Sequence, residues 1–242
     1  MTFGSLFAGI GGFDLGLERA GMTCAWQVEN DAYCNKVLEK HWPKVGRWDD
    51  VKTFPPSKGN WKVDLICGGF PCVDISNAGK RAGIEGKRSG LWKEFARIIR
   101  VLRPQYVLVE NVAALLERGI GRVLGDLAAS GYNAEWEVLS ACAFGASHTR
   151  ERVFLVAYAR SKRCRIFQAP IELQKTIRQI PFPWQSIRTS QHDIWIKEQC
   201  AIYGNDYGLP GEVDRFKCLG NAVVPQVAEW IGRRIIEVEN GD

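Results

Sequence analysis

Residues 2–12 read TFGSLFAGIGG, and an apparent helix follows from Phe13 to about Ala20. The apolar beginning of this stretch predicts a buried strand, and its glycines predict a tight loop before the helix. Glycines let the backbone approach a ligand closely, and a helix amino terminus offers backbone N–H groups that have no partner within the helix. This strand, loop and helix together are typical of nucleotide-binding α/β proteins.

The glycine loop differs from two common phosphate-binding motifs. No glycine stands three residues after Gly11, so the dinucleotide fingerprint is incomplete and a dehydrogenase is not favoured. The chain also has no Walker A pattern, which disfavours phosphoryl transfer. Glu29 follows an apolar stretch about 20 residues beyond the loop, where an acid can accept hydrogen bonds from ribose hydroxyls. An adenosine-containing cofactor is therefore expected.

Two further apolar runs end in polar, chemically useful residues. Residues 63–67 precede a Gly-Gly-Phe-Pro-Cys loop that ends at Cys72, and residues 106–109 precede Glu110 and Asn111. Taken singly, such a cysteine is usually a small buried hydrophobe, and such an acid is usually a helix cap or a solvated residue. The carboxyl ends of parallel strands share one rim of a sheet, so the three strand ends together indicate a reactive site.

The whole chain predicts an α/β fold with a small insertion. Strands and helices alternate to about residue 158, with amphipathic helices at 32–41 and 91–102, which indicates a mostly parallel sheet with helices on both faces. From 159 to 211 the pattern changes to Pro, Gln, Trp and basic residues. We expect a catalytic and cofactor-binding domain formed by residues 1–158 plus 212–242.

Five motifs occur in a family-specific order. They are FAGIGG at 7–12, GFPC at 69–72, ENV at 110–112, RER at 150–152 and GNAVVP at 220–225. This order resembles that of DNA (cytosine-5) methyltransferases. The resemblance implies a Rossmann-like S-adenosylmethionine-dependent methyltransferase fold, in which residues 159–211 form a target-recognition region. It also implies methyl transfer from S-adenosylmethionine to carbon 5 of cytosine in double-stranded DNA.

The resemblance assigns catalytic roles to five residues. Cys72 would add as a thiolate to carbon 6 of the cytosine, Glu110 would supply a proton to the ring, and Asn111 would help to place that contact. Arg150 and Arg152 alternate along a predicted strand and share one face, where their charges would favour the thiolate and grip the nucleotide phosphate. If the Arg-x-Arg pair stood alone, we would interpret it as charged residues that are exposed to solvent on an edge strand.

Cofactor roles follow from the same resemblance. Phe7, Gly9 and Gly11 would surround the methionine part, and Glu29 would hold the ribose. Further candidates are Asp50 and Val51 near the adenine, together with Pro71, Leu91, Asn221 and Val223. Asn221 is also a natural turn residue ahead of a helix that Pro225 begins near Val224.

Composition is consistent with these expectations without deciding them. The chain has 242 residues, 46% hydrophobic residues and a net charge of +5. A cluster of basic residues between 160 and 178 indicates a surface that faces phosphates. Eight cysteines include no C-x-x-C pair and there are three histidines, so no metal is expected. We assign no role to Cys24, Cys34, Cys142, Cys164, Cys200 or Cys218.

The expected environment and partners are those of a DNA enzyme. No leader-like segment and no 18-residue apolar run is present, so we expect a cytoplasmic monomer with reduced thiols and no membrane association. The glycine-rich and basic residues 77–90 would close over DNA while the cytosine is flipped out of the stack.

Three functional hypotheses remain open. The first is an active DNA methyltransferase that is part of a restriction-modification system, phage-borne or solitary. The others are an RNA cytosine-5 methyltransferase on the same scaffold and a non-catalytic DNA-binding relative. Val73, His148 and Asn30 replace residues that are common in the family, and Asn30 puts adenine stacking in doubt.

Overall fold

The computed structural model describes residues 1–71, 91–146, 148–160, 166, 167, 218 and 220–241. The predictions for Cys72, for the basic loop at 77–90 and for nearly all of the recognition region at 159–211 lie outside the described residues. The division of the chain into two domains therefore stays a prediction.

Most of the described strands and helices alternate as the sequence predicts, although two pairs of described strands follow each other without a described α-helix between them. The strands are β1 (Thr2–Leu6), β2 (Thr23–Val28), β3 (Gly46–Trp48), β4 (Leu65–Gly68), β5 (Tyr106–Val112), β6 (Tyr132–Ser140) and β7 (Glu151–Ala159). The helices are α1 (Gly12–Arg19), α2 (Ala32–His41), α3 (Trp92–Leu102), α4 (Leu115–Arg118), α5 (Ile120–Ala129) and α6 (Pro225–Asn240), with a 3₁₀ turn at Ala141–Phe144.

All seven strands belong to one sheet in the order β3-β2-β1-β4-β5-β7-β6. Strands β1 to β5 pair in parallel, and β7 pairs antiparallel with both β5 and β6. The chain order reverses between β1 and β4, and in open α/β sheets ligands bind in the crevice at such a point. The mostly parallel sheet confirms the predicted fold class.

Strand β5 extends further than the sequence indicated. Glu110 was expected after the strand, but the strand continues to Val112 because β7 pairs with it, with Glu110 opposite Phe154. The parallel partner β4 ends at Gly68, opposite Val109. Glu110 and the residues after it therefore extend beyond the end of β4. Among the described strands, they pair with β7 alone.

The sheet is covered on both faces, as predicted. Phe95 and Ile98 of α3 are buried with the residues on one face, and Leu17 of α1 and Ile231 of α6 are buried on the other. Helices α1 and α6 approach so closely that a Cβ at Gly16 would lie 2.3 Å from the carbonyl oxygen of Pro225. Among the described residues, no helix is both long and apolar enough to cross a membrane.

Candidate active site

The loop after β1 takes its shape from left-handed backbone conformations. Phe7, Gly9 and Gly11 have φ angles of 53°, 57° and 87°. The Ala8 N–H donates to the carbonyl oxygen of Val28 at 3.2 Å, which fastens the loop to the end of β2. Since a residue with a Cβ is strained in this region, the glycines permit the turn that the sequence indicated.

Glu29 anchors that loop from the next strand end. Its Oε2 accepts a 2.7 Å hydrogen bond from the Gly9 N–H, and its Oε1 accepts from the N–H groups of Asn30 and Asp31, both at 2.8 Å. A carboxylate has roughly four acceptor sites, so at least one remains for a ligand hydroxyl. The fixed carboxylate suits the ribose role predicted for Glu29.

Glu110 is a buried carboxyl group between two arginines. Its side chain is 9% exposed, with Oε1 at 3.2 Å from Arg152 Nε and 4.0 Å from Arg150 Nη2. Burial raises the pKa of Glu110, and the charges of Arg152 and Arg150 offset only part of that rise. The carboxyl group therefore holds a proton to a higher pH than an exposed glutamate does.

The Oε1 atom of Glu110 also has unused hydrogen-bonding capacity. Oε1 forms an ion pair with Arg152 Nε at 3.2 Å, and among the described residues no other donor reaches this buried oxygen. A buried acceptor or O–H donor without a partner is costly, so its presence at a cavity indicates a ligand contact.

Asn111 connects β5 to the loop that leads to Cys72. Its Nδ2 donates a 3.0 Å hydrogen bond to the carbonyl oxygen of Phe70, and its Oδ1 accepts from the Val112 N–H at 2.9 Å. Gly69 makes room for this arrangement, because a Cβ there would lie 2.8 Å from Glu110 Oε2. The sequence alone did not predict the need for a glycine at position 69, although the paired glycines before Phe70 were a signal for it.

The C-terminal segment returns to the same site. The Arg150 guanidinium donates from Nη1 to the carbonyl oxygen of Gly220. The first turn of α1 packs against the same segment, since a Cβ at Gly12 would lie 2.3 Å from the carbonyl oxygen of Val223. Residues more than 200 positions apart in the chain thus form one wall.

These elements enclose a cavity of about 320 Å³, which lies within the size range of small-molecule sites. The predicted residues that line it are Phe7, Gly9, Glu29, Pro71, Glu110, Asn111, Arg150, Arg152, Asn221 and Val223. The fold thus brings together residues from all five predicted motifs and from the strand end at Glu29.

Four predicted cofactor residues do not line this cavity. Gly11 faces the ring of Trp42, and the exposed Asp50 accepts a hydrogen bond from the Lys52 N–H. Val51 and Leu91 pack in or against the hydrophobic core. Their roles, like that of Cys72, stay predictions.

Two cysteines that received no role in the sequence analysis also line the cavity. They are Cys34 and Cys218, and Asp31 lies beside them. Their separation of 184 residues left no sequence signal that could pair them.

Comparison with known proteins agrees with the geometry. The family described as C-5 cytosine-specific DNA methylase matches residues 1–199. Type II methyltransferase M2.BsuMI of Bacillus subtilis (strain 168) is 37% identical over 161 residues, which cover 63% of this chain and 41% of the relative. Type II methyltransferase M.HhaI of Haemophilus parahaemolyticus is 31% identical over 193 residues, covering 76% of this chain and 57% of the relative. The chain thus spans about two fifths to three fifths of the length of these relatives.

A solved structure has the same fold at low sequence identity. S. pombe Dnmt2 methyltransferase superimposes with a TM-score of 0.68 at 15% identity, covering 99% of both chains. With the match over residues 1–199, the chain belongs to the family of C-5 cytosine-specific DNA methylases.

Proposed function

We propose that this chain transfers a methyl group from S-adenosylmethionine to carbon 5 of a cytosine in double-stranded DNA. The observation that carries the proposal is the buried Glu110 carboxyl group. It faces the cavity between Arg150 and Arg152, beside the loop that leads to Cys72. The family description, C-5 cytosine-specific DNA methylase, supports a DNA substrate.

The reaction needs a nucleophile because carbon 5 of cytosine is itself weakly nucleophilic. In the proposed mechanism the Cys72 thiolate forms a bond to carbon 6, and the displaced electron pair makes carbon 5 an enamine carbon. Carbon 5 takes the methyl group, after which a base removes the proton on carbon 5 and the carbon–sulfur bond breaks. This cycle restores the Cys72 thiolate and leaves 5-methylcytosine.

Glu110 would act while negative charge builds on the ring. Because burial raises its pKa, Glu110 holds its proton to a higher pH than an exposed glutamate does, and in the protonated form it can donate to the ring nitrogen as the thiolate adds. The guanidinium groups of Arg150 and Arg152 lie against the same carboxyl group, where they would also grip the phosphate of the flipped nucleotide.

The other half of the cavity suits the methyl donor. S-adenosylmethionine supplies an electrophilic methyl group on a positively charged sulfur. Glu29 has an acceptor site left for the ribose, and the Phe7 to Gly9 turn offers backbone close to the ligand. The segment containing Asn221 and Val223 also lines the cavity.

The cytosine must leave the helix to reach this cavity, because the ring carbons cannot be attacked within the stack. We infer that residues 159–211 select the target sequence. We also infer that the chain serves in a restriction-modification system, in a phage or as a solitary enzyme.

The direct test is incubation of the purified protein with unmethylated genomic DNA and S-adenosylmethionine, followed by mapping of 5-methylcytosine at base resolution. We expect methylation at one short sequence, and none with the Cys72→Ser variant. DNA that contains 5-fluorocytosine should trap a covalent adduct with the wild-type chain. Methylation of RNA in the absence of any DNA product would overturn the proposed substrate.

A further inference from the structure

The cavity wall contains a pair of adjacent thiols outside the proposed chemistry. Cys34 Sγ and Cys218 Sγ lie 3.1 Å apart, and both side chains are buried. Both residues are in the thiol form and both line the cavity. The two thiols therefore face the interior of the cavity, and little of their surface is exposed to bulk solvent.

The two cysteines belong to different segments of the cavity wall. Cys34 lies in the first turn of α2, directly after the Glu29 region, and the carboxylate of Asp31 caps that helix. Cys218 stands two residues before Gly220, whose carbonyl oxygen accepts from Arg150, and three before Asn221. A bond between the thiols would join the ribose side of the cavity to the C-terminal segment that lines it.

Asp31, Cys34 and Cys218 have donor atoms within 4.8 Å of one another, which also raises the question of a metal ion. Two thiolates on a tetrahedral zinc ion, each roughly 2.3 Å from the metal, lie about 3.8 Å apart. The observed 3.1 Å separation is shorter than that. Asp31 Oδ1 already accepts from the N–H groups of Tyr33 and Cys34.

Metal binding and disulfide exchange both need a thiolate, and burial, followed by the contact with Cys218, raises the pKa of Cys34. The raised pKa therefore disfavours both reactions and does not decide between them. The geometry favours a direct sulfur–sulfur bond instead, because a shift of about 1 Å would bring the two atoms to the disulfide length of about 2.05 Å.

We propose that Cys34 and Cys218 are a reversible thiol-modification site, at which a low-molecular-weight disulfide such as glutathione disulfide creates a disulfide staple between two segments of the cavity wall. One cysteine attacks the small disulfide, forms a mixed disulfide and releases one thiol. The other cysteine attacks the protein sulfur of that mixed disulfide and releases the second thiol. Two protein thiols are oxidised, one small disulfide is reduced to two thiols, and the protons pass to the leaving thiolates.

The staple has a functional consequence that rests on the proposed cofactor role of the cavity. An oxidant reaches the buried thiols through the cavity, so a bound cofactor shields them. Once formed, the bond prevents the two wall segments from separating, which slows entry of the cofactor. The site thus couples cofactor occupancy to the thiol–disulfide balance of the surroundings.

The experiment uses the full chain with Cys72→Ser, which removes the predicted nucleophile as an oxidation target. This protein is equilibrated with glutathione disulfide, alkylated and digested with trypsin. We expect a disulfide between the peptides 20–36 and 218–233, and its yield should fall at least fivefold when S-adenosylhomocysteine is present. Because peptide 20–36 also contains Cys24, adding Cys34→Ser identifies the linked residue by abolishing the product.

Stopped-flow binding of S-adenosylhomocysteine then measures the consequence. We expect the association rate constant of the oxidised protein to fall at least tenfold and to recover with dithiothreitol. The staple should also raise the melting temperature by about 5 °C or more, since it closes a long loop. The exposed Cys142→Ser substitution is the matched control and should change none of these results.

The outcomes separate this inference from the proposed function. If the reduced protein binds S-adenosylhomocysteine but no linked peptide appears, or if it appears equally with Cys34→Ser, the thiol site is overturned. Stoichiometric zinc that is lost in both the Cys34→Ser and the Cys218→Ser variants would also overturn it. A linked peptide in a protein that binds no S-adenosylhomocysteine would contradict the cofactor role and its coupling to the thiols.

Discussion

The side-chain amide of Asn111 donates a 3.0 Å hydrogen bond to the carbonyl oxygen of Phe70, two residues before Cys72. Asn111 is almost completely buried, and it follows Glu110 directly in β5. The proposed acid and the loop that leads to the proposed nucleophile are thus held together by one residue. Asn111 is a positioning residue in this arrangement.

Substituting Asn111→Ala should therefore slow catalysis more than it weakens cofactor binding. The carbonyl oxygen of Phe70 loses its donor, and a nucleophile displaced by about 1 Å can cost a hundredfold in rate. We expect kcat to fall by about tenfold to a hundredfold while the Kd for S-adenosylhomocysteine changes less than about threefold. Single-turnover methylation and calorimetry measure the two quantities.

Asn133→Ala is the matched control for this substitution, because Asn133 is exposed on β6. It should leave both the rate and the affinity unchanged. An Asn111→Ala enzyme with wild-type kcat would contradict the positioning role.

Glu110 should give the rate a characteristic dependence on pH. Because burial raises its pKa, the protonated form that can donate to cytosine is lost as the pH rises through that value. We expect the methyl-transfer rate of the wild-type chain to fall on the alkaline side. The Glu110→Gln variant, which keeps a neutral donor, should lack that fall and be slower by at least about a hundredfold.

The same pKa shift predicts a stability effect. Above the ordinary glutamate pKa of 4.5, the folded chain retains a proton on Glu110 that the unfolded chain has lost. Its contribution to the free energy of unfolding therefore decreases with rising pH until the folded group also ionises. The melting temperature of Glu110→Gln minus that of the wild type should increase between pH 4 and pH 8, and a constant difference would contradict the raised pKa.

Local sequence patterns predicted the helices and strands of this chain better than they predicted the contacts between them. The helix at 32–41 and the proline at the start of α6 were readable because capping, periodicity and Pro225 act over a few residues. The extension of β5 to Val112 depends on pairing with β7, which lies about 40 residues later and leaves no local signal. The contact of Cys34 with Cys218 is likewise visible only after the chain has folded.

The positions of the site residues could likewise be predicted only where a local pattern fixed them. Glu29 directly follows β2 and Glu110 lies in the last part of β5, so the strand pattern in the sequence placed both at the cavity. Asp50 and Val51 come from an irregular segment before β4, where no periodic pattern fixes the direction of a side chain.

Glu29 should be needed for cofactor affinity rather than for the chemical step. It holds the loop through the Gly9 N–H and keeps an acceptor for the ribose. Glu29→Gln places an N–H₂ group against backbone donors, so we expect the Kd for S-adenosylhomocysteine to rise about tenfold or more. At saturating cofactor kcat should stay within about threefold of wild type.

The conservative control is Glu39→Gln, on the exposed part of α2, which should bind S-adenosylhomocysteine as the wild type does. Isothermal titration calorimetry distinguishes the two variants. An unchanged Kd for Glu29→Gln would remove Glu29 from the cofactor site.

Gly12→Ala tests whether contact between α1 and the C-terminal segment shapes the cavity. A Cβ at this position would lie 2.3 Å from the carbonyl oxygen of Val223, so the two elements must separate. Because Val223 and Asn221 line the cavity, we expect cofactor affinity to fall at least about tenfold, with a destabilisation of about 1–3 kcal/mol from overpacking.

Gly125→Ala is the control for this substitution. Gly125 lies in the interior of α5, and a Cβ there would meet nothing within 4 Å. That variant should be more stable by about 0.5–1 kcal/mol and bind cofactor normally, as denaturant titration and calorimetry would measure. If Gly12→Ala bound the cofactor as tightly as Gly125→Ala does, the C-terminal segment would not form part of the cofactor site.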